Sequence, residues 1–337
     1  HNTAVGKEAL FSNTTGYNNT GCGRYTQASN TTGANNSSVG YYSLQSNTTG
    51  FENTSQGSMS LFSNTTAGEN TALGFKTLYA ATTGNFNTAV GAHCGQSITT
   101  GTNNVAMGGD ALRDSTTGQN NVAIGANALL VNTTANHSTA VGKDVLKSCT
   151  TGAMNAAFGY QALESATTAG NNTAFGALAL SAVTTGRGNI MLGGLNHIGG
   201  YSPVFNPTTE ENRLILGHTS ITHAYVKVSF TVTSDERDKM NFAPVPYGLD
   251  FVNKLKPTAF QFKVDRNTET PDGNVRYGFK AQDILALEGD NPVIIDNEDA
   301  NHLKYKGEHL VPVLVNAVKE LSAENAALKT RLDAAGL

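Results

Sequence analysis

A serine and a lysine that could do chemistry stand five positions apart in the C-terminal third of the chain, at Ser234 and Lys239. A serine hydroxyl becomes a nucleophile when a base takes its proton, and a lysine amine can be that base when burial or neighbouring positive charge lowers its pKa. Arg237 is a candidate neighbour of this kind. Such pairs are common by chance, and the alternative for Ser234 is an N-cap of a short helix with an acidic first turn. The pair alone does not identify an enzyme.

The first 193 residues consist of a repeat of seventeen residues. Glycine recurs at every seventeenth position from Gly6 to Gly193, twelve times in succession. Asparagine stands four places before that glycine in eleven of the twelve repeats, and an apolar residue stands directly before it in all but one, which has Gln56. Leucine lies four places after the glycine in nine of eleven repeats, and all eleven contain a Thr-Thr pair. A strict period of this length predicts stacked coils rather than a globular domain.

The repeat predicts a β-solenoid, because glycine and a β-branched pair recur too often for a helix. We expect two short strands per coil, each sending one large apolar side chain inward, at the position before the glycine and at the leucine. The glycine permits a corner with positive φ, and Thr-Thr-Gly with Asn-Thr forms the other corner. Stacked at the strand spacing, eleven coils span roughly 50 Å. Cys22 and Cys94 are expected to be buried thiols rather than disulfides.

Charge and hydropathy exclude several classes of function. Residues 1–193 carry seven basic and seven acidic side chains, so the net charge of −4 lies in the rest of the chain. No basic patch indicates nucleic-acid binding, and no apolar run is long enough for membrane insertion. His218 and His223 lack the spacing of ligands on one strand face, and the sequence indicates no metal and no cofactor.

After the repeats the chain changes character twice. Residues 194–233 contain strand-like runs, which we interpret as a β neck. Residues 234–310 have the composition of an ordinary globular domain, with a helix predicted over 248–255, a strand over 258–264 and a second helix introduced by 277–285.

The last stretch, 311–337, carries apolar residues at alternating spacings of three and four, which is typical of a coiled coil. The seam positions are Val311, Leu314, Val318, Leu321, Asn325, Leu328 and Leu332. Such a seam needs partner helices, and Asn325 would fix their register. A slender solenoid that ends in a coiled coil favours a parallel homotrimer. The alternative is a helix packed on its own domain.

Four segments of the tail carry a family resemblance. They are Ser234-Asp-Glu-Arg-Asp-Lys, Gly248-Leu-Asp-Phe-Val-Asn-Lys-Leu-Lys-Pro, Tyr277-Gly-Phe-Lys-Ala-Gln-Asp and His309-Leu-Val-Pro-Val-Leu-Val-Asn-Ala-Val-Lys-Glu-Leu. In this order over 234–337, they resemble the intramolecular chaperone of phage tail spikes and fibres, the peptidase S74 family of endosialidase tailspikes. Phe242 departs from the pattern, which often has an aliphatic residue there. The repeats resemble those of phage fibres and, more loosely, the head repeats of trimeric bacterial adhesins.

The resemblance implies a mostly β protein: a trimeric β-solenoid fibre, a β neck, and a small α+β chaperone domain that ends in a coiled coil. It implies a phage tail fibre or spike for host attachment, whose tail folds and trimerises it and then cuts itself off in a single turnover. Ser234 would be the nucleophile and Lys239 its partner. We expect the cut between Thr233 and Ser234, although the sequence does not settle the side.

The resemblance also implies partners and a location. The partners would be two further copies of this chain, a glycan or protein receptor on the host surface, and other tail proteins of the virion. The chaperone domain would be made in the host cytoplasm and released. The neck would then become the distal end, and its candidate receptor contacts are Tyr201, Phe205, His218, His223 and Tyr225. Packing inside the neck is the alternative role for the same residues.

Other functions remain as alternatives. A polysaccharide-depolymerising tailspike needs paired acids, and Glu52 and Glu69 share one repeat position, which places them one coil apart, near the ~5 Å separation of a retaining pair. Most such pairs at a turn are only solvated. An ice-binding solenoid would use threonine ladders, but adjacent threonines point to opposite faces. A bacterial trimeric adhesin would carry a C-terminal membrane anchor, which this sequence does not show.

Overall fold

The computed structural model describes residues 1–195, 199–219, 221, 224–225, 227, 234–263, 269–298, 300 and 303–336. The chain divides into two compact units, residues 1–223 and residues 224–337. The first unit is a β-solenoid and the second is a small α+β domain.

The solenoid has one three-residue strand per coil, and all of these strands form a single parallel sheet in chain order. The first twelve are Thr3–Val5 (β1), Thr20–Cys22 (β2), Ser37–Val39 (β3), Thr54–Gln56 (β4), Thr71–Leu73 (β5), Thr88–Val90 (β6), Val105–Met107 (β7), Val122–Ile124 (β8), Thr139–Val141 (β9), Ala156–Phe158 (β10), Thr173–Phe175 (β11) and Ile190–Leu192 (β12). Each residue lies opposite the one seventeen positions later, as Ala72 lies opposite Ala89. The coils close within one chain, and the predicted β-solenoid is confirmed.

The middle residue of each strand is the one whose side chain enters the coil. In β5, Ala72 is fully buried, whereas Leu73, directly before the corner glycine, is 43% exposed. The prediction that the residue before the glycine points inward is therefore wrong. Successive strand residues point to opposite faces, so a three-residue strand with its middle side chain inside has its outer two outside. A small middle residue leaves the interior to the buried leucine.

The leucines lie in a turn rather than in a second strand, which corrects the expected pair of strands per coil. Leu44 and Leu112 are fully buried and have φ values of 54° and 52°. A left-handed backbone at such a residue costs on the order of 1–3 kcal/mol. Complete burial of a leucine side chain contributes about 1.5–3 kcal/mol, which offsets that cost.

The corner glycine is required by the close stacking of the coils. Gly40 has φ of 134°, and a Cβ added there would lie 2.6 Å from the carbonyl oxygen of Gly57 in the next coil. A side chain at this position would therefore both strain the backbone and collide with the neighbouring coil. This confirms the positive-φ corner predicted from the sequence.

Two ladders of polar side chains join successive coils. Inside the solenoid, the Asn36 backbone N–H donates to Oδ1 of Asn19 at 3.0 Å, and its side-chain amide donates to the Gly50 carbonyl at 2.8 Å. At the Thr-Thr corner, Oγ1 of Thr14 donates to the Thr31 carbonyl at 3.0 Å. Because these bonds recur with the repeat, they fix the register of each coil on the next.

The interior of the solenoid changes from polar to apolar along the chain. The coils from β2 to β4 bury hydroxyl and amide side chains, among them Thr26, Gln27, Ser38, Ser43, Ser55 and Ser60. The middle strand residue is then alanine from Ala72 to Ala174, followed by Met191 and Ile215. The N-terminal coils therefore bury less apolar surface than the C-terminal ones.

A thirteenth strand, Leu214–Leu216 (β13), extends the sheet within the segment predicted as the β neck. It pairs with β12, with Ile190 opposite Leu214, so this coil contains twenty-four residues instead of seventeen. The threonine hydrogen bond that joins the regular coils is also present here, since Oγ1 of Thr184 donates to the Thr208 carbonyl at 3.2 Å. The sequence period ends at Gly194, but the stacking continues for one longer coil.

All three cysteines are free thiols. Cys94 and Cys149 are buried, and burial raises the pKa of Cys94 to about 12 and that of Cys149 to about 11. Cys22 is exposed, because it occupies the outward position before the glycine. The expectation of a buried thiol is confirmed for Cys94 and wrong for Cys22.

The second unit contains three α-helices, two 3-10 helices and two small antiparallel sheets in its described residues. A 3-10 helix at Glu236–Asp238 is followed by Leu249–Lys254 (α1), Thr258–Phe260 (β14), Arg276–Gly278 (β15), Ala281–Glu288 (α2), Ile295–Asp296 (β16), Lys304–Tyr305 (β17), a 3-10 helix at Gly307–His309 and Leu310–Ala334 (α3). β14 pairs with β15, and β16 pairs with β17. The two predicted helices are confirmed, and the strand predicted over 258–264 is confirmed for 258–260, with residue 264 outside the described residues.

Helix α3, 25 residues long, presents different residues to its own domain and to the outside. Leu310, Val313 and Ala317 are buried. The seam predicted for a coiled coil lies on the exposed part of the helix. Its exposed members are Val311, Leu314, Val318, Leu321, Asn325, Leu328 and Leu332. The helix thus packs on its own domain and still leaves the seam uncovered.

Candidate functional site

The two residues singled out for nucleophilic chemistry are in contact. Nζ of Lys239 donates a hydrogen bond of 2.6 Å to Oγ of Ser234. Both side chains are exposed in the single chain. The distance is that required between a nucleophilic hydroxyl and its base. For the lysine to act as that base, it must be neutral and accept the hydroxyl proton.

The contact is made across a single turn of 3-10 helix, Glu236–Asp238. Its N-cap is Asp235, whose Oδ1 accepts the backbone N–H of Arg237 at 2.9 Å. Ser234 is therefore not the N-cap, which was the alternative role for this residue. Lys239 follows the turn in extended conformation, and its own N–H donates to the Glu236 carbonyl. The turn brings the chain back so that the lysine side chain reaches the serine.

Arg237 is bound by Asp235 rather than directed at Lys239. Its Nε donates to Oδ1 of Asp235 at 3.0 Å and its Nη2 donates to Oδ2 at 2.5 Å. The guanidinium holds the pKa of Asp235 below its usual range, and the carboxylate raises the pKa of Arg237. The positive charge expected to act on the lysine is thus offset by the neighbouring carboxylate.

The segment after the turn is tied to helix α3. The side-chain amide of Asn316 donates to the Val245 and Tyr247 carbonyls at 3.2 and 3.3 Å. Oε2 of Glu320 accepts the N–H of Leu249 at 2.6 Å, which satisfies a donor at the N-terminus of α1. These bonds connect the entry of the domain to the helix that carries the exposed seam.

The predicted receptor contacts have different surroundings. Tyr201 is half-buried and its hydroxyl donates to Oδ1 of Asn206 at 2.8 Å, while Phe205 packs against the solenoid core. The backbone of His218 forms a bridge with Pro203. Tyr225 is 91% exposed. His223 lies outside the described residues, as does Thr233 of the predicted cleavage site.

Other candidate chemistry is weakly supported by the geometry. Glu52 and Glu69 are both exposed at left-handed corner positions, with φ of 56° and 59°. Within the described residues, no group of three or more His, Cys, Asp or Glu side chains could hold a metal ion. No helix in that part of the chain combines the length and the apolar character needed to cross a membrane.

Sequence reasoning missed an exposed apolar row along the solenoid. The row consists of the residues directly before the corner glycines, whose more exposed members are Val5, Val39, Leu73, Met107, Ile124, Phe175 and Leu192. The signal was present in the strands themselves, since a small residue such as Ala72 stands between two larger ones. Equal spacing carries the row from coil to coil at about 4.8 Å per step, with Gln56 as its one polar interruption.

Comparison with known proteins finds one family match, which lies within the second unit. Residues 234–291 match the family Peptidase_S74, described as chaperone of endosialidase. No curated protein and no solved structure matches the chain. The matched segment begins at Ser234 and includes Lys239, α1 and α2. Residues 234–291 are therefore a Peptidase_S74 domain, and its combination with a seventeen-residue-repeat β-solenoid fits a phage tail fibre with a C-terminal chaperone.

Proposed function

We propose that this chain is part of a phage tail fibre or spike for host attachment, and that its C-terminal domain assembles three chains and then releases itself by a single self-cleavage beside Ser234. The observation that carries the proposal is the 2.6 Å contact between Lys239 Nζ and Ser234 Oγ at the start of the matched domain. A Ser–Lys pair at that place has the geometry of an activated nucleophile.

The chemistry uses only groups of this chain and water. Neutral Lys239 takes the proton of the Ser234 hydroxyl, and Oγ attacks the carbonyl carbon of Thr233. The bond from that carbon to the Ser234 nitrogen breaks, and the nitrogen keeps the electron pair and gains the proton. Water then hydrolyses the resulting ester to a Thr233 carboxylate and a free Ser234 with its hydroxyl restored. The cut separates nucleophile from substrate, so each chain reacts once.

Assembly is the step that would make the lysine a base. In the single chain the side chains of Ser234 and Lys239 are both exposed. Desolvation disfavours the charged form of an amine, so burial of this site between chains would favour the neutral lysine that the reaction needs. Cleavage would then follow trimerisation, and removal of the assembling domain would leave the fibre kinetically trapped.

Two uncovered apolar surfaces support a homotrimer. One is the exposed row before the corner glycines, and the other is the seam of α3 with Leu314, Leu321 and Leu328. Apolar patches of this extent are rarely left exposed on a monomer. Identical surfaces on identical chains in one register are satisfied by parallel association about a common axis.

Host attachment belongs to the same proposal. After release the segment 194–233 would become the distal end, available to a glycan or protein receptor of the host. The exposed Tyr225 is a better candidate than Phe205, which packs on the solenoid core. The remaining partners would be other virion tail proteins, with the fibre in the virion and the chaperone domain made in the host cytoplasm.

The test is expression of the full chain beside Ser234→Ala and Lys239→Ala, followed by denaturing gels and mass measurement of the fragments. The proposal predicts a cut next to residue 234 in the wild type alone, and native gels that show trimers for all three proteins. Dilution of the newly made chain should delay the cut, because assembly precedes it. An intact wild-type trimer, or cleavage in the Ser234→Ala protein, would overturn the proposal.

A further inference from the structure

We infer that Asp235 is a positioning residue for the self-cleavage, holding the turn that places Lys239 Nζ against Ser234 Oγ. The inference rests on the proposed function and adds to it a residue whose carboxylate binds Arg237 and has no described hydrogen bond to the side chain of Ser234 or Lys239. Its basis is the set of hydrogen bonds that converge on one carboxylate between the two reacting residues.

The carboxylate of Asp235 closes the turn from two directions. Oδ1 accepts the backbone N–H of Arg237 at 2.9 Å and its Nε at 3.0 Å, while Oδ2 accepts Nη2 at 2.5 Å. The backbone carbonyl of Asp235 also accepts the N–H of Asp238 at 3.2 Å. One residue thus fixes both the start of the 3-10 helix and the side chain in its middle.

The reaction needs this constraint because four residues lie between the nucleophile and its base. A free segment of this length samples many conformations, and only a few bring a lysine amine within hydrogen-bond distance of the serine. Bidentate binding of a guanidinium by a carboxylate restricts the geometry more than a single contact. Holding the pair in place supplies part of the rate by positioning.

Neighbouring acids do not make the same contacts. Asp238 lies in the same turn and is exposed, and none of the described hydrogen bonds or ion pairs involves its side chain. It carries the same charge and directly precedes Lys239, whereas Asp235 stands four positions before the lysine, so Asp238→Ala removes a charge that is nearer to it along the chain. A loss of cleavage rate specific to Asp235 would therefore reflect its hydrogen bonds to Arg237, here called the clamp, rather than the removal of a negative charge.

The test is a pulse-chase of the full chain in cell-free translation. Samples are split between denaturing gels, which give the fraction cleaved, and native gels, which give the fraction assembled. The variants are Asp235→Ala, Asp235→Asn, Arg237→Ala, the double variant Asp235→Ala/Arg237→Ala, and Asp238→Ala as control. Cleavage is expressed per assembled trimer, so that a folding defect does not count as a catalytic one.

We expect Asp235→Ala to slow cleavage of assembled trimers by about tenfold or more, as a positioning loss of 1.4 kcal/mol or more would. Asp235→Asn can still accept the Arg237 N–H as an N-cap and should recover part of the rate. The double variant should be no slower than Asp235→Ala, since both changes remove the same clamp.

Three outcomes would overturn the inference. Asp235→Ala trimers that cleave at the wild-type rate would show that the clamp is not needed. An equal loss in Asp238→Ala would assign the effect to charge, and additive losses in the double variant would separate Asp235 from Arg237. A wild-type chain that assembles but never cleaves is distinguishable from these, because it overturns the proposed function and this inference with it.

Discussion

Asn104 holds Asn121, seventeen residues later, by two hydrogen bonds from one oxygen. Its Oδ1 accepts the backbone N–H of Asn121 at 3.1 Å and the side-chain amide at 3.2 Å. Its own amide donates to the Gly118 carbonyl at 2.9 Å. The bonds are buried, so a single side chain sets the register of one coil on the next and satisfies groups that water cannot reach.

Replacing Asn104 by alanine should therefore destabilise the solenoid. Buried groups left without partners cost about 1–3 kcal/mol each, and we expect a loss of about 2–4 kcal/mol in the free energy of unfolding. Denaturant unfolding of the purified fibre measures it. Asn104→Ser should lose less, because Ser138 stands at this repeat position and its Oγ accepts the Asn155 N–H at 3.3 Å. An unchanged free energy of unfolding in Asn104→Ala would contradict a stabilising role for the asparagine ladder. Thr117→Ala, at an exposed position, serves as the control.

The buried thiols predict a loss of stability at alkaline pH. The pKa values of Cys94 and Cys149 are raised to about 12 and about 11, against 9.0 for an unperturbed thiol, because burial disfavours the thiolate. The unfolded chain loses these protons first. Their stabilising contribution is therefore complete below pH 9 and lost as the pH rises through 9 towards 11 and 12.

The measurement is the unfolding midpoint against pH for the wild type and for Cys94→Ala/Cys149→Ala. Alanine is compatible with both sites, since the equivalent residues of the following coils are Ala111 and Ala166. The double variant should lose less stability than the wild type between pH 9 and 11. Parallel curves would contradict the prediction. Cys22, which is exposed, should react with a thiol reagent in the folded fibre, while the other two stay protected.

The polar interior of the N-terminal coils predicts that protection from amide hydrogen exchange varies along the solenoid. Backbone pairing is the same throughout, but β3 and β4 bury Ser38 and Ser55 where β9 and β10 bury Ala140 and Ala157. Less apolar burial lowers the free energy of local opening. Amide hydrogen exchange should be faster in β3 and β4.

A substitution tests the cause of that gradient. Ser43, Ser55 and Ser60 hydrogen-bond one another, with Ser43 Oγ to Ser55 Oγ at 2.8 Å and Ser55 to Ser60 at 2.5 Å. Changing all three serines to alanine removes the hydrogen-bond donors and acceptors together. We expect the stability of these coils to stay nearly the same or to increase. Exchange in these coils should slow. Uniform protection in the wild type would contradict the gradient itself.

The exposed apolar row predicts where a charge should disrupt assembly. Leu73→Asp places a carboxylate in the row, and if three rows meet in the trimer it must be desolvated there. We expect a lower trimer fraction by light scattering after chromatography. Thr66→Asp puts the same charge on the exposed Thr-Thr corner and should leave the fibre intact. Equal behaviour of the two variants would remove the row from the interface.

The sequence predicted the architecture well and the direction of its side chains poorly. The glycine period placed the coils and their corners, because positive φ at Gly40 and close stacking on Gly57 leave few other residues possible. It did not decide whether Ala72 or Leu73 points inward, since a three-residue strand fits either face. Size favoured the leucine, and that was misleading because another leucine, Leu78, already fills the interior.

The serine and lysine of the candidate site were predictable from the sequence, but the contacts that hold the turn between them were not. Ser234 and Lys239 stand out from their spacing and the motif around them, and the structure places them in contact. The partner of Arg237 was not predictable, because acidic residues flank it on both sides and all are close enough in sequence to pair with it. Only the geometry of the turn selects Asp235.

The longer coil between β12 and β13 shows that the length of the solenoid and the perimeter of its coils can vary independently. Adding residues there changed the perimeter of one coil, while Ile190 and Leu214 kept the ordinary strand pairing. The length of the solenoid along its axis is thus set by the number of coils. The cross-section of each coil is set by the number of residues between successive paired strands. A fibre with this construction can gain a side loop at any coil without changing its reach. Related fibres are therefore expected to differ in the size of such loops while they keep the same number of strands.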